Sequence, residues 1–125
     1  MAYEPKYFTE SEMVCKHCEG LPPDGMNEAL LRKLDELREL VQQPVHTTCM
    51  YRCPEHNAEV GGVENSQHVL GNAADIYCDG LSVDELADAA VTVGFDGIGR
   101  YYEQEFVHVD CRDNGESPNA YTWEG

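Results

Sequence analysis

Two short segments, Ala73-Ala74-Asp75-Ile76-Tyr77-Cys78 and Phe106-Val107-His108-Val109-Asp110-Cys111, constrain the fold of this chain more than any other feature. Both read as strands, and side chains alternate across a pleated strand. In the first, Asp75 and Tyr77 point one way and Ala74, Ile76 and Cys78 the other; in the second, His108 and Asp110 oppose Val107, Val109 and Cys111. A chain that folds in this way covers one core with its apolar sides. It then carries His and Asp together on the opposite face, which is expected to be exposed.

The remaining elements follow from period and capping. Asn27 can cap a helix in which Leu30, Leu34, Leu37 and Val41 recur at helical spacing, ending before Pro44. Val45 to Arg52 alternates as a strand, with Val45, Thr47, Cys49 and Tyr51 on one side, and delivers Arg52 at its end. A helical turn and a loop are expected from Pro54 through Gly61-Gly62. Ser82 with Glu85 forms a capping-box signature for a helix to Val93, stopped by Gly94. Gly97 to Tyr102 and Phe106 to Cys111 read as a hairpin joined by Glu103-Gln104-Glu105, and the tail from Asp113 reads as a loop anchored by Tyr121 and Trp123. The 125 residues suffice for a single domain spanning 1–125. The expected fold class is α+β: a small antiparallel β-sheet with helices packed on one face and the His and Asp residues on the other.

His68 lies seven residues before Asp75, with Gly71 between them, so the chain can turn and bring the imidazole over the carboxylate. His68, Asp75 and His108 make a three-ligand set with an open fourth position, the pattern of catalytic rather than structural zinc. In an arbitrary sequence such a set is more often two surface histidines and a turn aspartate. The motif around it reverses that reading.

The segment YRCPEHNAEVGGVENSQHVLGNAADIY and the later EFVHVD resemble the zinc D-alanyl-D-alanine peptidases, a family that includes carboxypeptidases, phage endolysins and vancomycin-resistance dipeptidases and shares its fold with the hedgehog signalling domain. The resemblance runs from about Phe8 to Asp110 and centres on S-x-H-x-x-G-x-A-x-D followed by H-x-D. Ser66, His68, Gly71, Ala73 and Asp75 fall on the first motif, and His108 on the last ligand. The resemblance implies one zinc per chain on His68, Asp75 and His108. It implies substrate contacts at Ser66 and Gln67, and hydrolysis of an amide next to a D-amino acid in peptidoglycan peptides. Glu105, three residues before His108, stands where many members carry the general base, and Asp110 is its rival or a support for a zinc ligand. Arg52 matches a family arginine that could bind a carbonyl oxygen or a carboxylate. The hedgehog domain supplies the alternative, a zinc-containing binding module without catalysis.

Charge and cysteines narrow the partners. With 8 Lys and Arg against 24 Asp and Glu, the formal charge is −16, which repels phosphate backbones and anionic lipid headgroups. No nucleic acid or membrane partner is expected, and the chain is expected to be a monomer. The first ten residues hold no apolar run of the length a secretion signal needs, and no stretch approaches a membrane span. The expectation is a soluble protein made in the cytoplasm and released to act on the wall. Of six cysteines, Cys49, Cys78 and Cys111 are expected inside the apolar layer as unreactive thiols. Cys15, Cys18 and Cys53 fall in loops or at element ends, where a disulfide, a structural metal and free thiols all stay open.

Overall fold

The computed structural model describes residues 5–8, 13, 14, 26–53, 58, 67–113, 116 and 120–125. Its elements run α1 (Glu28–Val41), β1 (His46–Cys49), β2 (Ala73–Tyr77), α2 (Val83–Val93), β3 (Gly97–Tyr101), β4 (Phe106–Asp110) and β5 (Tyr121–Glu124). The helices begin and end where their caps dictate. Asn27 Oδ1 accepts from the backbone N–H of Ala29 at 2.8 Å and of Leu30 at 3.4 Å. Ser82 and Glu85 close a reciprocal capping box, and Gly94 ends α2 in the left-handed region at φ 100°. Among the described residues no helix is long and apolar enough to cross a membrane.

The five strands form one sheet in the order β1-β2-β4-β3-β5. Its first four strands pair antiparallel, as expected. The fifth differs: β5, in the tail expected to be a loop, pairs parallel with β3 and makes the sheet mixed. Its partner β3 lies more than twenty residues upstream, beyond the reach of a hairpin signal, and four residues are too few to show a period.

Among the described residues, both helices lie over one face. Leu30, Leu34 and Leu37 of α1 and Leu86, Ala87 and Ala90 of α2 are fully or almost fully buried. They share a core with Ile76, Ile98, Val107 and Val109 from the sheet. Cys78 and Cys111 are buried in this core, the place expected for them, and burial pushes the Cys111 thiol up to about 12.

Cys49 departs from expectation. Thr47 pairs with Ile76 and Cys49 with Asp75, so the register slips between them. This bulge inserts one residue, and every side chain beyond it changes face. Cys49 therefore leaves the apolar layer and joins Asp75.

The opposite face carries a row across all five strands: Cys49, Asp75, His108, Gly99 and Trp123. A second row sets Ala73, Asp110, Gly97 and Tyr121 side by side. This face is not exposed as expected. Asp75 and His108 each retain 8% of their surface and Asp110 none. Gly97 makes room for the Asp110 carboxylate, with which a Cβ at that position would collide. Gly97→Ala should lower stability by about 1–3 kcal/mol, the usual cost of overpacking a fixed site. Chemical denaturation checks this, and an unchanged midpoint would mean that Asp110 is free to move.

Candidate metal centre

His68 reaches the sheet through a tight turn pinned at both ends. Gly71 takes φ 75°, a left-handed conformation that other residues rarely adopt, and its N–H donates to the His68 carbonyl at 3.2 Å. The same carbonyl accepts from Arg52 N–H at 3.2 Å, while Asn72 N–H donates to the Gln67 carbonyl at 2.9 Å. Asn27 N–H, at the start of α1, donates to the Gly71 carbonyl at 3.0 Å. The Gly of the motif is thus a backbone requirement of the turn that aims His68.

The imidazole orientations can be read from their partners. His68 Nδ1 lies 2.8 Å from the Met50 carbonyl, which can only accept, so Nδ1 carries the hydrogen and Nε2 turns to Asp75 Oδ1 at 3.2 Å. For His108 the roles are exchanged. Nε2 faces Asp110 Oδ2 at 2.8 Å, and Nδ1 faces the same Asp75 Oδ1 at 3.2 Å. The two rings stand 5.2 Å apart at 80°. With both rings neutral, two nitrogen lone pairs and a carboxylate oxygen converge on one small volume. Three acceptors cannot face one another without a positive charge between them.

A proton supplies that charge in the metal-free protein. Burial alone would depress the His68 pKa, but the hydrogen bond and charge of Asp75, with Cys49 adding to them, raise it to about 10. Burial would likewise raise Asp75, yet its two imidazole partners hold it at about 2. A divalent cation would replace the proton, and two imidazole nitrogens with one carboxylate form a donor set that suits zinc. The residues present fit the group.

Cys49 adjoins this set. Its sulfur lies 3.6 Å from His68 Nδ1, and ligand atoms of Cys49, His68 and Asp75 all fall within 4.8 Å of one another. The sulfur meets the Nδ1 edge of His68, however, which the Met50 carbonyl already occupies. The lone-pair edge faces Asp75 and, across it, His108. Among the described residues the group of three whose ligand atoms all lie within 4.8 Å of one another is thus Cys49, His68 and Asp75, while His108 joins through its 3.2 Å contact with Asp75 Oδ1. Burial raises the Cys49 pKa and the His68 bond lowers it, with a net shift downward. Nothing in a regular alternation could have placed this thiol here; only the bulge does.

Of the other residues singled out in the sequence, Asp110 and Arg52 reach this cluster. Asp110 binds His108 and is gripped by Arg112, Nε to Oδ1 at 2.9 Å and Nη2 to Oδ2 at 2.7 Å. Burial would raise its pKa, but Arg112 and His108 bring it to about 2. Arg52 Nη2 lies 3.7 Å from Cys49 Sγ. Gln67 spends its side-chain oxygen on Asn72 Nδ2 at 3.1 Å. Glu105 is not drawn in: it sits exposed at the end of the hairpin turn with φ 58°. It lines an open pocket of about 400 Å³ with Tyr77, Leu81, Tyr102 and Val107, and none of His68, Asp75 and His108 borders that pocket. Ser66, Cys15, Cys18 and the Gly61-Gly62 loop lie outside the described residues. Cys53 is buried. Sequence reasoning missed Arg112, and it placed Trp123 in a loop, whereas the indole lies in β5 with its ring centroid 5.1 Å from that of His108. The two glycines of Gly97-Ile98-Gly99, on one face of a strand, were the available signal.

Proton release tests the electrostatics. A group whose folded pKa lies above its unfolded value stabilises the fold fully below about 6.5, and this contribution is lost as pH rises through about 10. Metal uptake within that window must expel the His68 proton, so apparent zinc affinity rises with pH. Zinc titration calorimetry at pH 8 in buffers of different ionisation enthalpy should register about two protons released per metal, one from His68 and one from the bound water, whose pKa falls to about 7. Release of only about one would mean that His68 is already neutral.

Comparison with known proteins identifies the family. The Peptidase M15 family model matches residues 6–110. The peptidoglycan L,D-endopeptidases MepK of Escherichia coli K12, Escherichia coli O157:H7 and Shigella flexneri are each 30% identical over 93 residues, covering 69% of this chain and 51% of theirs. The chain thus spans about half the length of these relatives. The span of the family match, which contains His68, Asp75, His108 and Asp110, establishes that this chain belongs to the Peptidase M15 family.

Proposed function

We propose that the chain is a zinc-dependent peptidase that hydrolyses an amide bond next to a D-amino acid in peptidoglycan peptides, with His68, Asp75 and His108 as the metal ligands. The observation that carries this reading is the convergence of two imidazole lone pairs on one oxygen of a buried aspartate. Family membership and the activity named for the MepK proteins support the substrate class. Their endopeptidase character favours an internal cut over carboxypeptidase action.

Bound zinc would polarise the scissile carbonyl and lower the pKa of its water to about 7. The chain's own side chains do the rest. Asp110 accepts from His108 Nε2 and so keeps Nδ1 as the ligating atom, a support that typically matters 10–100-fold for affinity or turnover, as an order of magnitude. Arg52 receives the substrate carbonyl oxygen or a carboxylate. Ser66 and Gln67, just ahead of His68, contact the substrate peptide. Both oxygens of Asp110 are engaged by His108 and Arg112, and Glu105 is assigned to proton transfer on its spacing of three residues before His108. To serve, its side chain must turn from the pocket it lines toward His108.

The test is a pair of substitutions assayed for zinc content and for release of peptides from purified wall. Glu105→Gln should keep zinc and lose roughly 10²–10⁴-fold in turnover, the usual contribution of a general acid–base. Asp110→Asn should weaken zinc binding by about 10–100-fold. A nearly silent Glu105→Gln with wild-type zinc would remove Glu105 from the mechanism. A wild type that holds zinc but cuts no wall peptide would favour a binding module on the same fold.

A further inference from the structure

The family match ends at Asp110, yet the side chain that covers His108 comes from β5. Trp123 and His108 rings lie 5.1 Å apart between centroids, tilted by 50°. The indole is itself fixed from three directions. Its Nε1–H donates to the Tyr101 hydroxyl at 3.0 Å, and the Arg112 guanidinium lies over its ring at 5.4 Å. On the sheet side Gly99 leaves the space it needs, since a Cβ there would come within 2.6 Å of the ring.

These contacts close a circuit. Arg112 holds Asp110, Asp110 holds His108 Nε2, Trp123 packs on His108, and Arg112 returns to Trp123. The contacts at Nε2 and Nδ1 lie at the ring's edge and leave its faces open, and a swing of the ring would carry Nδ1 away from Asp75. A broad aromatic face beside the ring blocks it. We infer that Trp123 is a positioning residue of the metal centre, whose indole fixes the plane of His108 so that Nδ1 stays aimed at Asp75 Oδ1. This rests on the proposed role of His108 as a ligand. It also assigns β5 a part in the centre, beyond completing a sheet edge.

Trp123 is the chain's one tryptophan, so its emission reports on the centre directly. Metal-free wild type, Trp123→Ala, Trp123→Leu and Trp123→Phe are titrated with zinc chloride against a chromophoric chelator, with thermal melts alongside. Trp123→Ala should bind zinc about 10-fold more weakly, the lower end of the range for groups that support a ligand. Trp123→Phe, which restores a flat ring, should recover most of the loss. Wild-type emission should change over the zinc range that saturates the site. Should the alanine variant fail to fold, the leucine variant carries the test, because it fills volume without a flat face. Equal zinc affinity in the leucine, phenylalanine and wild-type proteins, or emission that stays constant through saturation, overturns the inference. A wild type that takes up no zinc fails the metal reading first, and the inference with it.

Discussion

Two imidazole nitrogens share one oxygen of Asp75, and the rest of the polar face is arranged around that fact. The arrangement is costly without a positive charge, because buried acceptors that face one another gain nothing from their neighbours and have lost water. His68 answers by holding its proton far above the ordinary range. The surrounding fold maintains the geometry instead of relieving it. Met50 fixes one ring through its carbonyl, Asp110 fixes the other through its carboxylate, and the tight turn at Gly71 holds the His68 backbone carbonyl.

The division of the sheet into two faces is what allows this. One face spends its strand residues on a core shared with both helices. The other must be covered without apolar side chains, since it carries Asp75, His108 and Asp110. The chain covers it with a turn on the β1 side and with β5, Arg112 and Trp123 on the other. Gly97 and Gly99 are the sites where this covering comes closest to the sheet. Their missing side chains are as much a part of the site as the groups that occupy the space.

Much of this was legible in residue patterns. Alternation in β2 and β4 placed Asp75 and His108 on a common face, and the caps at Asn27 and Ser82 located both helices. What escaped were features that no local period records. A one-residue bulge moved Cys49 from the core to the polar face. A parallel partner distant in sequence turned a loop-like tail into β5, which buried a face expected to be open. Glu105 shows the limit from the other side: spacing from His108 names it, but a left-handed backbone at the end of a hairpin decides where its side chain goes.

Zinc K-edge X-ray absorption on protein loaded with one equivalent of metal tests the central claim most directly. The account predicts a first shell of nitrogen and oxygen alone at about 2.0–2.1 Å, with outer-shell scattering from two imidazoles. A sulfur at about 2.3 Å, which would put Cys49 in the place given to His108, would contradict it.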